Sequence, residues 1–334
     1  MKIFQVAVFG SLIKDIEFFS DEIFVIENKK DITRQKMFAF EYGAKLPIDK
    51  VYYNFGGGAG NVSVGLNQLG IKAAPVSSVG DDSEGRQMIE YFKKNKIDAS
   101  LISTNKKELT GFSFILGSKK HRDHVIFTHK GASSELSFTP ALLNKFKSEY
   151  FYIAALSQKN WVSELRKLFS KSRRDTASIV WNPGQIQLNS AAAMLEFLPQ
   201  TEILIVNKDE AIQLILDLFG RSKQISNVKY LIAKLKSLGP TAAIITQGSK
   251  GANVLDAGGK FYHLPAFGKK VIDTVGAGDA FGSGFLAGWI YWRDAKKALR
   301  LGLRNSGSVV GKIGAQNGLL GYEMYKIRIQ DITR

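Results

Sequence analysis

Val271-Ile-Asp273-Thr-Val-Gly276-Ala277-Gly278-Asp279-Ala-Phe-Gly-Ser-Gly-Phe-Leu-Ala-Gly288 is the most informative stretch of the chain. An apolar, strand-like lead-in reaches a glycine-rich turn, and a helix rich in small residues follows. At such a turn several backbone N–H groups point the same way, at the positive end of the helix dipole. They form an anion hole suited to a phosphoryl group in transfer. Glycine is needed there because a side chain would block close approach of the phosphate. Asp279 ends the turn and opens the helix. A carboxylate at that point can accept the proton of an attacking hydroxyl. It can equally be an N-cap, the commonest job of Asp at a helix start, and spacing alone does not separate the two.

A second glycine cluster, Asn54-Phe-Gly56-Gly57-Gly58-Ala59-Gly60-Asn61, stands far upstream. Its consecutive glycines leave the backbone bare for a polyhydroxy ligand, and Asn61 offers both donor and acceptor. A flexible loop tip would carry the same residues. Val62, Leu66 and Leu69 then fall at i, i+4 and i+7 before Gly70, which predicts a helix over 60–69 with a glycine stop.

Between the two clusters short apolar runs alternate with helical patterns. Strands are expected at 5–9, 73–79, 151–155, 179–181, 203–206 and 242–246, and helices near 83–96, 277–292 and 294–310. Strand–helix alternation of this kind argues for a parallel sheet covered on both sides. Residues 17–56 and 108–130 break the pattern with β-type runs and no helix, as a small antiparallel sheet inserted into the α/β body would. Standing over the strand ends, such a sheet could serve as a lid. Phe38, Phe40, Tyr42, Tyr52 and Tyr53 make the first segment aromatic, fit either for stacking on a nucleobase or for ordinary sheet packing. The second holds the basic run Lys119–Arg122 with His124, read as a solvated hairpin tip or as a contact for a phosphate on the substrate. No repeat or low-complexity linker divides the chain, so 1–334 is expected to act as a single domain.

Composition narrows the classes. The chain has 334 residues, 45% hydrophobic and 23% charged, which is ordinary for a soluble globular protein. Its size lets it bury a full core without staples. Cysteine is absent, so disulfides, thiolate nucleophiles and Cys–metal sites are excluded; that fits a reducing compartment, and the cytoplasm is the expected location. No stretch approaches the 18 or so apolar residues of a transmembrane helix, and the N-terminus reads as a buried strand, so no membrane association is expected. The formal charge of +16 favours anionic ligands, but the lysines are scattered and no specific nucleic-acid partner is expected. His121-Arg122-Asp123 imitates a kinase catalytic loop without its downstream Asn or a DFG. The chain has no GxxxxGK[ST].

Together the two glycine segments resemble the paired signatures of the ribokinase-like (PfkB) carbohydrate kinases. Gly57-Gly58…Asn61…Leu66…Leu69-Gly70 is similar to the N-terminal signature, and Asp273-Thr-Val275-Gly276-Ala277-Gly278-Asp279 to the C-terminal one. The likeness extends over nearly the whole chain. Gly10-Ser-Leu-Ile-Lys-Asp15 resembles the first strand and its sugar-contacting Asp, and Lys130-Gly-Ala132 the segment leaving the lid. Asn207-Lys-Asp-Glu210 resembles the NxxE motif that organises Mg²⁺ and phosphate through water, and Thr246-Gln-Gly248-Ser-Lys-Gly251 the nucleotide-contacting turn.

The resemblance implies a three-layer α/β/α sandwich with a mainly parallel sheet and a β lid. It also implies ATP-dependent phosphorylation of a hydroxyl on a sugar or sugar derivative, or alternatively of a nucleoside 5′-hydroxyl. In that scheme Asp279 is the general base and the amides of Gly276, Ala277 and Gly278 form the anion hole. Asp15, Gly57, Gly58 and Asn61 hold the acceptor. Asn207, Glu210, Thr246, Gly248 and Gly251 meet ATP and Mg²⁺, with Glu210 reaching the metal through water. Asp273 and Val275, with the Gly314-Ala315 loop, resemble a K⁺ site. Family members often dimerise through the lid sheet, so a homodimer is expected as well.

Overall fold

Along the strand Lys2–Phe9, Val6 and Val8 enter one hydrophobic core while Ala7 and Phe9 enter another. Side chains alternate across a strand, so one buried strand with apolar residues at successive positions feeds two cores, and each face of its sheet must be covered. The computed structural model describes residues 1–20, 22–27, 36–48, 50–118, 123–268 and 271–322. The basic run at 119–122 lies outside the described residues, as do parts of both lid segments.

Lys2–Phe9 sits inside a nine-stranded sheet. From one edge the order is Phe261–Leu264, Ala252–Leu255, Ala242–Thr246, Ile203–Asn207, Ser178–Trp181, Phe146–Ile153, Lys2–Phe9, Ala73–Gly80 and Ile102–Asn105. Pairing is parallel throughout except at the first two, which add as an antiparallel hairpin. The helices Gly58–Gln68, Ala277–Trp292 and Ala295–Val309 supply the core on one face. Trp161–Asp175, Lys208–Phe219 and Val228–Ser237 supply the other. This is the expected three-layer sandwich. Its first strand begins earlier than the apolar run predicts, because Lys2 and Ile3 pair with Phe146 and Lys147 through backbone alone. No helix among the described residues is long and apolar enough to cross a membrane.

A four-stranded sheet in the order Val51–Gly56, Ile13–Phe19, Thr110–Ser118, Asp123–Gly131 stands apart from the main one. Its outer pairs are antiparallel, as expected, while Ile13–Phe19 and Thr110–Ser118 run parallel where the two halves meet. The reason is topological: these two strands follow Lys2–Phe9 and Ile102–Asn105, parallel members of the main sheet, and leave it in the same direction. Phe24–Glu27 and Lys36–Ala39 form a separate two-stranded sheet.

Candidate active site

The carboxyl ends of the parallel strands and the lid enclose a cavity of about 290 Å³. In open α/β sheets ligands bind at this edge. The floor comes from residues just beyond the strand ends, Ser11, Ala154, Ala155, Asn182 and Glu210, and the roof from Ile13, Asp15, Ser113, Ile115, Ile126, Thr128 and Lys130 of the lid. Gly57, Gly58, Asn61, Val275, Gly276 and Asp279 complete the wall. Both glycine segments and Asp15, which stands on the lid strand that follows the first strand, therefore meet in one place.

Gly276 is the N-cap of the Ala277–Trp292 helix, in the left-handed conformation with φ 73°. A Cβ there would lie 2.3 Å from the Cβ of Ala315, so the turn and its packing both require glycine. At Gly278 a Cβ would meet nothing within 4 Å. No neighbour in the chain demands glycine at that point; what it preserves is open space over the helix N-terminus. Of the three amides expected to form the anion hole, that of Ala277 reaches the Thr274 carbonyl at 3.3 Å. No backbone bond ties those of Gly276 and Gly278 to neighbouring carbonyls among the described residues.

Asp279 lies in the first turn of that helix and lines the cavity. It is not the N-cap. Its Oδ2 accepts a hydrogen bond from Asn61 Nδ2 at 2.8 Å. Burial raises its pKa to about 6 against the pull of the Asn61 bond and of the Lys130 charge. Asp15, on the lid strand, accepts a hydrogen bond from Ser113 on the neighbouring strand, its register partner. Burial is again the main cause that lifts it to about 6, with Asp279 adding to the rise. A Cβ on Gly56 would sit 2.0 Å from Asp15 Oδ2, so that glycine makes room for the carboxylate. Lys130 faces both acids, and desolvation holds its ammonium below its usual range.

At the other end of the cavity, Asn207 and Glu210 cap the Lys208–Phe219 helix. Asn207 Oδ1 accepts from the Glu210 amide at 2.9 Å, and Glu210 Oε2 accepts from the Asn207 amide at 2.8 Å. Such a reciprocal capping box explains the Asn-x-x-Glu spacing in local terms, yet Glu210 also lines the cavity, and burial lifts its pKa to about 7. Asn207 pairs with Thr246 across the sheet, and Gly248 begins the short turn that Gly251 ends. Asn207, Thr246, Gly248 and Gly251 lie along the same edge of the sheet, outside the wall of the cavity itself.

Asp273 is buried and ties two loops together: its Oδ1 accepts from the Val275 amide at 2.9 Å and its Oδ2 from the Gly314 amide at 2.8 Å. Beside it lies Glu17, 1% exposed, with no hydrogen-bond donor for either carboxyl oxygen among the described residues. Burial first and Asp273 second push Glu17 up to about 8.

Ser113, Glu17 and Gln316 escape sequence reading. Ser113 carries a weak signal, a polar residue between Phe112 and Phe114 on an apolar strand. Gln316 carries none, since only the fold brings residue 316 to residue 61.

Residues 5–320 match the family described as pfkB family carbohydrate kinase. The ribokinase of Haemophilus influenzae is 28% identical over 265 residues, covering 79% of this chain and 84% of its own. The nucleoside kinase of Methanocaldococcus jannaschii is 26% identical over 290 residues, covering 86% of this chain and 88% of its own. Among solved structures, a ribokinase II candidate from E. coli in complex with ATP and Mg²⁺ superposes with a TM-score of 0.75 at 20% identity, covering 98% of this chain and 99% of that one. With the family's signature residues gathered in one cleft and its model spanning nearly the full length, the chain belongs to the pfkB family of carbohydrate kinases, phosphotransferases with an alcohol acceptor.

Proposed function

We propose that this protein phosphorylates a hydroxyl group of a free sugar or sugar derivative with ATP, using Asp279 as general base. The observation that carries the reading is the Asp279 carboxylate itself. One oxygen is fixed by Asn61, and the group opens onto a cavity at a helix N-terminus where the Gly276 and Gly278 amides have no backbone partner among the described residues. The proton of the acceptor hydroxyl passes to Asp279. The freed oxygen bonds to the γ-phosphorus of ATP as the bond from that phosphorus to the bridging oxygen breaks, leaving ADP. The Gly276 and Gly278 amides face the charge on the moving group; the Ala277 amide shares its proton with Thr274. Such catalysis is mostly positioning and charge stabilisation.

Asp15 and the glycines at 57 and 58 hold the acceptor from the lid side. Asn207, Thr246, Gly248 and Gly251 line the route of the nucleotide along the sheet edge. Mg²⁺, which neutralises phosphate charge when bound, suits Glu210: a hard oxygen donor, desolvated, with one oxygen not committed to the capping box. K⁺ suits the Asp273 joint, where two buried acids meet without a cationic side chain among the described residues; Asp273 and the Val275 carbonyl would hold it.

A free sugar fits better than a nucleoside for one reason. The apolar lid side chains that face the cavity are Ile13, Ile115 and Ile126, whereas Tyr53, Phe114 and Phe127 are exposed. A base entering the cleft would meet isoleucine, not a stacking ring. The nucleoside reading keeps the support of the M. jannaschii relative. ADP release measured over ribose, fructose, 2-keto-3-deoxygluconate and inosine separates the two. Asp279→Asn should lower turnover of the best acceptor at least a hundredfold, the order expected for loss of a general base, with the circular dichroism unchanged. Near-normal turnover in that variant refutes the assignment.

A further inference from the structure

Behind Asp279 runs a chain of hydrogen bonds through four separate segments. Asn61 Nδ2 donates to Asp279 Oδ2 at 2.8 Å. Asn61 Oδ1 accepts from Gln316 Nε2 at 2.9 Å. The same Gln316 nitrogen donates to the Phe55 carbonyl at 2.7 Å, and Gln316 Oε1 accepts from the Tyr91 hydroxyl at 2.6 Å. Every polar atom of the Gln316 side chain is thereby spent, and its orientation is unique. Turning the amide over would set its oxygen against two acceptors, the Phe55 carbonyl and Asn61 Oδ1. Asn61 is fixed in turn, because its reversed amide would aim an oxygen at the carboxylate.

We propose that Gln316 is a positioning residue for Asp279, acting through Asn61 and anchored by Tyr91. The proposal rests on the reading of Asp279 as the base. All donors run one way, from Tyr91 to Gln316 to Asn61 to Asp279, so each bond polarises the next and strengthens the last donor onto the carboxylate. That bond occupies Oδ2 and leaves Oδ1 as the oxygen that can take a proton. Oδ1 is also the atom that would lie 4.0 Å from a Cβ on Gly58, at the bare start of the Gly58–Gln68 helix. Gln316 does not line the cavity, so it acts on the reaction through its neighbours, and its bond to Asn61 is the one that reaches Asp279. Its bond to Phe55, on the lid strand Val51–Gly56, means that the same amide also holds the root of the lid in register with the base.

Gln316→Leu keeps the size of the side chain and removes all three bonds. The Asp279 ionisation midpoint can be read without substrate from the carboxyl ¹³C shift of Asp-labelled protein, the resonance being the one absent from Asp279→Asn. It should rise by about half a unit or more in Gln316→Leu, since an anion loses its oriented donor. With the best acceptor of the panel above, kcat should fall roughly tenfold, KM for ATP should stay put, and the acid limb of the pH profile should move with the midpoint. Tyr91→Phe removes the donor to Gln316 Oε1 but leaves the Gln316 bonds to Phe55 and Asn61 in place, and should move the midpoint the same way by less; it decides the matter if Gln316→Leu does not fold. A folded variant whose midpoint and acid limb stay at the wild-type values overturns the proposal, as does a fall in kcat that is equal at every pH, which would mark a merely structural role. If Asp279→Asn itself turns over normally, the base assignment fails and the relay has nothing to position. If Asp279→Asn is inactive and the midpoint does not move, only the relay is wrong.

Discussion

As the proposed base, Asp279 must be charged to act, yet it sits where charge is disfavoured. Burial lifts its pKa from 3.8 to about 6, and a base with that value is half-protonated near pH 6. The kcat/KM of the free enzyme should therefore be level at neutral pH and fall tenfold per unit below about pH 6, as a pH–rate profile in a constant-ionic-strength buffer would show. The same shift has a thermodynamic side. A carboxyl whose folded pKa lies above its unfolded value contributes its full stability below the unfolded value, and that contribution is lost as pH rises through the folded one. Asp279→Asn, neutral at every pH, should match wild type in melting temperature near pH 4 and exceed it above pH 7. The ceiling is about 3 kcal/mol, from two pKa units at 1.36 each, a shift that already includes the attraction of Lys130. An inactive variant that is more stable than its parent identifies a residue kept for chemistry. Equal melting temperatures at pH 8 would show that the carboxylate is adequately solvated and that its burial is not what tunes it.

At the scale of the element, the glycine turn and the lid strand each hold a conformation that one substitution breaks or relieves. Gly276→Ala places a methyl group against Ala315 in a left-handed turn; strain of this kind costs about 1–3 kcal/mol, measurable by denaturant titration. Turnover should fall by more than that stability loss accounts for, because the turn also aims the amides. Glu17→Gln acts in the opposite sense. Glu17 is held near 8 beside Asp273, so its stabilising protonated form is lost as pH rises through that value, whereas glutamine keeps the shape and its amide N–H donates at every pH. At pH 8.5 the variant should melt higher by roughly 1–3 °C; a lower melting temperature would mean that the acid has a partner worth keeping. The elements themselves were readable because their signals are local. Ala242–Thr246 and Ala277–Trp292 fall where apolar runs and small residues place them. What local pattern could not show is which face of the lid meets the cavity. Phe114 stands beside Ile115 and Ile126 beside Phe127, so both faces carry apolar side chains and a one-residue change of register would exchange them. Gln316 was invisible for a similar reason: its partners Phe55, Asn61 and Tyr91 come from distant parts of the chain.

For the whole molecule the unresolved question is what covers the outer face of the lid. Register places Tyr53, Ile16, Phe114 and Phe127 in one row across all four strands. Tyr53 is 67% exposed, Phe127 59% and Phe114 42%, and Val51 adds to the apolar surface. Monomers rarely leave a contiguous apolar patch of this kind in water, and a sheet also exposes unpaired backbone at its edges. A second copy offers the same row by symmetry, and an isologous contact pairs identical faces without leaving either open. The chain carries a formal charge of +16, so two copies repel at long range and the contact must be apolar to hold. Light scattering behind size exclusion at 0.15 M salt should therefore give twice the mass of the chain. Phe127→Lys, a charge at the end of the row and outside the catalytic wall, should give a monomer with the circular dichroism of the parent. Because the inner face of the same strand carries Thr128 and Ile126 over the cavity, freeing the lid should raise KM for the acceptor more than KM for ATP. A wild-type chain that elutes as a monomer at every concentration up to about 100 µM would assign the aromatic row to some other occupant.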